Sequence, residues 1–207
     1  MLENVQLDRD LISCSIWGAT SQEVQELINK GANIEHKDTD GDTPIIIASK
    51  RYIDVVKVLL DNNANIEAED EQGRTSLFTA CIYGHKEIVK LLLDRGANIE
   101  HKDHYNETVL GNIAMHSESG DHKTSDKEVS DITILLEYGA DINTADQFGE
   151  PCLNYIKYIW KMPYIQELII TGQPHNIKLF GDKIGILPSL KKKYKEVIEM
   201  SEIGIFG

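Results

Sequence analysis

One eight-residue phrase returns four times along the chain. Gly31 to Asp38 reads GANIEHKD, Asn63 to Asp70 reads NANIEAED, Gly96 to Asp103 repeats GANIEHKD, and Gly139 to Asp146 reads GADINTAD. Their starts are 32, 33 and 43 residues apart. A second marker keeps the same step: Gly41-Asp-Thr-Pro-Ile, Gly73-Arg-Thr-Ser-Leu, Asn106-Glu-Thr-Val-Leu and Gly149-Glu-Pro-Cys-Leu. Two markers in one register exclude chance. They imply a chain of small units, none of which buries a core alone, stabilised by stacking on its neighbours.

The unit spanning 71 to 103 shows how the residues dictate its shape. Gln72-Gly73 is a turn signal, and Thr75 is placed to cap a first helix predicted over Ser76 to Tyr83. Pro44 takes the first helical position in the preceding copy. Leu77, Ala80 and Cys81 give that helix a narrow apolar stripe, small where two helices approach closely. Gly84-His85 breaks the chain, and Ile88, Val89, Leu91, Leu92 and Leu93 then make a second helix too apolar to stay exposed. Gly96 closes it, and Ala97 to Asp103 runs extended into the next turn.

This pattern resembles the ankyrin repeat family, with its period of about 33 residues and its turn, Thr-Pro opening and two helices per unit. The resemblance covers roughly residues 8 to 180. It implies an all-α ankyrin-repeat solenoid of about five helix-turn-helix units with projecting hairpin loops, over residues 1–182. The copies fall at about 8–38, 39–70, 71–103, 104–146 and 147–182. The first and last are atypical, as expected of units that shield open ends; in the fifth, Trp160 replaces the inter-helix glycine. Two stretches depart from the repeat. The fourth unit carries a polar insertion around Ser117 to Lys127, which suits a loop between its helices. Residues 183–207 form a C-terminal capping segment, with an amphipathic helix signalled by Pro188 and by Leu190, Tyr194, Val197 and Ile198 at helical spacing.

Composition narrows the function classes. With 34 acidic against 21 basic residues, the formal charge of −13 opposes nucleic acid and anionic membrane surfaces. No run of about 18 apolar residues exists, and the start MLENVQLDRD lacks the features of a signal peptide, so a cytoplasmic monomer is expected. Cys14, Cys81 and Cys152 are isolated in apolar contexts and read as reduced core thiols. Catalytic constellations are wanting: His36 and His101 sit two units apart and read as solvated loop residues, and Lys191 to Lys193 reads as the solvated side of a helix. There is no glycine-rich phosphate loop or nucleophile elbow. Neither an enzyme nor any cofactor or metal site is expected.

The informative pattern is charge. Ten of the thirteen net negative charges fall in the four finger segments 34–42, 66–74, 99–107 and 142–150. Two readings compete: exposed tips are simply polar, or the acid makes a steering field around the aromatics Tyr105 and Phe148 in the turns and Tyr83 and Tyr158 near first-helix ends. The resemblance implies a protein-binding module whose concave face would use Thr39, Asp40 and Asp42 in the second unit and Glu71, Gln72 and Arg74 in the third. The same register gives His104, Tyr105 and Glu107 in the fourth and Gln147, Phe148 and Glu150 in the fifth. First-helix ends add Lys50, Arg51, Ile82 and Tyr83. Asn106, where glycine is usual, predicts a strained or reshaped turn beside Tyr105. The expected partner is a protein with a basic or mixed surface. Two narrower alternatives are an inhibitor or immunity-type protein masking a basic enzyme or toxin, and a pathogen or viral host-targeting adaptor, suggested by Ile186-Leu-Pro and the amphipathic residues after it.

Overall fold

The period of the apolar residues decides the layering. In the computed structural model, which describes residues 2–116, 126–142, 144 and 149, every regular element is a helix; one isolated antiparallel bridge joins Lys102 to Thr108. The chain divides into two compact units after Val109. The first holds three helix pairs: α1 (Leu2–Trp17) with α2 (Ser21–Asn29), α3 (Pro44–Ser49) with α4 (Ile53–Asp61), and α5 (Ser76–Tyr83) with α6 (Lys86–Asp94). First helices pack on first helices, α1 on α3 on α5, and second helices on second helices, α2 on α4 on α6. Val24, Val56 and Val89 occupy one position in the three second helices, and each is fully buried. A single substitution to Ala there costs roughly 1–3 kcal/mol.

Each second helix ends the same way. The Ala32, Ala64 and Ala97 amides donate back to the carbonyls of Leu27, Leu59 and Leu92, while the residues before them, Gly31, Asn63 and Gly96, donate to Ile28, Leu60 and Leu93. This double bond pattern requires a left-handed residue. Glycine supplies it at 31 and 96; Asn63 supplies it at φ 64°. Gly139 repeats the geometry in the second unit, where α7 (Val109–His116) and α8 (Asp126–Glu137) bury Leu110, Ile113, Ile132 and Leu135.

Three expectations are corrected. The first helix runs from Leu2, so it begins ahead of the first copy expected at about residue 8. Thr43 and Thr75 sit at the N-cap positions of α3 and α5 in extended conformation, but neither makes a side-chain capping bond; Thr20, before α2, makes the full capping box with Glu23 instead. The turn at Asn106 is not reshaped: the Asp103 amide donates to the Glu107 carbonyl at 3.0 Å and that of Asn106 to Asp103 at 2.9 Å, as Asp70 does to Arg74 and Gly73 to Asp70. Asparagine tolerates the required φ of 62°. Most of the 117–127 insertion, the fifth copy and the 183–207 segment lie outside the described residues.

Candidate functional site

The fingers are built from the carboxylates that the sequence offers as surface charge. Asp38 Oδ1 accepts the amides of Asp40 and Asp42; Asp70 Oδ1 accepts those of Gln72 and Arg74; Asp103 Oδ1 accepts those of Tyr105 and Glu107. One acid per finger is thus spent on holding its own turn. A second acid ties each finger to the next. Glu35 Oε1 accepts the Asn65 amide and Glu67 Oε1 the Asn98 amide, both at 2.7 Å. At the start of the row Asp8 does the same for Asn33 at 2.6 Å. Each asparagine in turn accepts the amide two residues on, at Glu35, Glu67 and Glu100. The fingers therefore form one hydrogen-bonded row across residues 33–108.

His101 is not a solvated loop residue. Its side chain is largely buried, and Nε2 lies 2.8 Å from the Gly73 carbonyl, to which it must donate, with Glu69 3.6 Å away. His36 lies 3.6 Å from Asp8. At the corresponding middle position Ala68 is buried. The tips touch as well: the His104 amide donates to the Gln72 carbonyl, and a side chain at Gly73 would meet the His104 ring at 2.5 Å.

Between the first and second fingers, 34–42 and 66–74, lies a cleft of about 360 Å³. Asp40 and Asp42 come from one finger, Asp70, Glu71, Gln72 and Arg74 from the next, Lys50 from the end of α3, and Thr79, Ile82 and Tyr83 from α5. Lys50 Nζ meets Asp42 Oδ2 at 2.7 Å, and Arg74 Nε meets Asp70 Oδ2 at 3.1 Å while another of its nitrogens reaches Gln72 Oε1 at 2.6 Å. Burial of the Asp42 side chain pushes its carboxyl above the ordinary range, and Lys50 offsets that only in part. Lys50 is itself drawn down by burial, but its hydrogen bond and charge attraction to Asp42 outweigh this and hold the ammonium above its usual range. The difference is physical: the carboxylate is the deeper member of the pair, and the ammonium keeps water.

Eight of the residues expected from sequence line this cleft: Asp40, Asp42, Lys50, Glu71, Gln72, Arg74, Ile82 and Tyr83. Thr39, Arg51, His104 and Tyr105 are exposed but do not line it, and Glu107 is buried. Gln147, Phe148 and Glu150 lie outside the described residues. The sequence reading missed Asp70 and Thr79 here. It also missed a neighbouring cleft of about 570 Å³ between α1 and the first finger, where Arg9, Ile12 and Ile16 face His36, Lys37 and Thr39. The i, i+4 pair Ile12 and Ile16 was its signal.

Other chemistry is weakly provisioned. Cys81 is buried and Cys14 half-buried; burial first, then the charges of Glu23 and Asp10, push the Cys14 thiol up, which keeps it protonated and a poor nucleophile. Among the described residues no group of three ligands is placed for a metal ion, and no helix is long and apolar enough to cross a membrane. Residues 11–103 match the family model of ankyrin repeats in three copies. No curated protein matches the chain.

Proposed function

We propose that this chain, whose residues 11–103 are ankyrin repeats, binds another protein along the row of fingers and first-helix ends, with the cleft between the second and third units at its centre. Ankyrin repeats are generally protein-protein interaction modules rather than enzymes. The observation that carries the reading is the exposure of two large apolar side chains beside charged groups on a hydrogen-bonded frame: Ile82 is 41% and Tyr83 50% exposed at the end of α5, at the mouth of the cleft. A ring that packing does not use, rimmed by polar groups, is the composition of an interface anchor. The frame around it is already ordered, which lowers the entropy cost of docking.

The partner favoured is one with a basic or mixed surface, because the chain carries −13 formal charges and acids predominate around the cleft. A photoreactive benzoylphenylalanine in place of Ile82 should capture a partner from cell extract, while the same residue in place of Glu87, on the outward side of α6, should not. Equal capture at both positions, or capture at 87 alone, would move the interface off the fingers.

A further inference from the structure

We propose that the cleft between the second and third units takes an arginine side chain of the protein partner, its guanidinium held between Asp40 and Glu71 and against the ring of Tyr83. The inference rests on the protein-binding reading above and names the chemistry of one contact within it.

The charge balance of the cleft points there. Four carboxylates and two cations line it. Asp42 is taken by Lys50, and Asp70 by Arg74 and two turn amides. Those pairs cancel in charge, each cation being held by a carboxylate of the cleft. Asp40 and Glu71 remain, both exposed, and neither carboxylate has a hydrogen-bond or ion-pair partner among the described residues. They belong to neighbouring fingers yet lie side by side, since a Cβ on Gly41, next to Asp40, would stand 2.7 Å from Glu71 Cγ. The cleft is thus lined by two uncompensated acids, a half-exposed aromatic face and the exposed aliphatic body of Ile82.

A planar guanidinium matches this set better than an ammonium does. It presents donors in several directions at once, so two carboxylates on different fingers can share it, and it is weakly enough hydrated to lie against an aromatic ring. Its methylene stem would cover Ile82. An anionic or purely apolar residue would leave Asp40 and Glu71 facing each other uncompensated as water is expelled.

The test uses the full isotope-labelled chain and small probes. N-acetyl-arginine amide should shift the backbone amides of Gly41, Gly73 and Tyr83 saturably, more tightly than N-acetyl-lysine amide and far more than N-acetyl-leucine amide. The variant Asp40→Asn/Glu71→Gln, melting as the wild type does, should bind the arginine probe roughly five- to tenfold more weakly. Shifts spread evenly over the exposed acids Asp54, Asp61 and Asp94 would overturn the proposal, as would undiminished binding by the double variant or equal binding of the leucine probe. Photocapture from position 82 separates the two readings. A partner still captured when Asp40→Asn/Glu71→Gln is added sinks the arginine contact and leaves the interface standing, whereas no capture from position 82 in the otherwise unchanged chain sinks the interface itself.

Discussion

Single residues show where this fold is constrained and where it is merely tolerant. Asn63 does a glycine's work at φ 64°, so Asn63→Ala should cost about 1 kcal/mol, while Asn63→Gly should be neutral or slightly stabilising, read from urea midpoints. Ser49 is fully buried and its Oγ has no partner. The same register position holds Cys81 in the next unit. Ser49→Ala should therefore raise stability by about 1 kcal/mol, from relief of an unpaired hydroxyl and better helix propensity; a loss would mean that the hydroxyl is satisfied by water. The Lys50–Asp42 pair makes a pH-dependent prediction. Asp42 has its folded pKa raised from 3.8 by burial, so this group favours folding below that range and the advantage is lost as pH rises through it. Lys50→Met removes the cation that offsets the penalty, and should cost about 1–3 kcal/mol at neutral pH, discounted because Lys50 is partly exposed. The deficit should shrink towards pH 4 as Asp42 takes a proton. A deficit that stays constant between pH 4 and 7 would show that Lys50 acts through packing alone.

At the scale of elements, the helices were legible because their signals are local. Pro44 and the Ser76–Tyr83 stripe fix first helices, and Leu92, Gly96 and their copies fix where second helices stop. What the sequence concealed were the partners of polar residues. Glu35 and Glu67 read as finger charge, yet each is a clamp on an amide about 30 residues on; nothing in the spacing distinguishes a solvated carboxylate from one that bridges units. His101 and Ala68 share a register position but only one reaches a neighbouring carbonyl. Eight of the ten residues that line the candidate cleft could be placed from register, since the ends of first helices and the tips of fingers recur. Its depth could not: Asp42 looks like Asp40 in sequence, yet Asp42 is buried and Asp40 exposed. The clamps give a further prediction. Glu67→Gln keeps an acceptor for the Asn98 amide and should be mild, whereas Glu67→Ala should cost about 1 kcal/mol and speed hydrogen exchange at Asn98. No change in exchange there would show that the amide is held by some other group.

For the molecule as a whole, the same carboxylates pull in opposite directions. Those bonded to amides support the fold, while the formal net charge of −13 opposes compaction through self-repulsion. Exposed pairs such as Arg95–Asp61 and Lys57–Asp54 contribute little to set against it. Raising the ionic strength from about 10 mM to about 150 mM shortens the screening length from roughly 30 Å to 8 Å. That change should raise the melting temperature, because the long-range repulsion is screened while the short bonds in the finger row are not. The same change should slow association with a basic partner, because the field that steers encounter is the one being screened. Stability and association rate should therefore move in opposite directions with salt. If both fall together, local ion pairs dominate the fold and the repulsive account of the charge is wrong. If the association rate is indifferent to salt, the acids serve the frame alone and the partner is recognised through Ile82 and Tyr83.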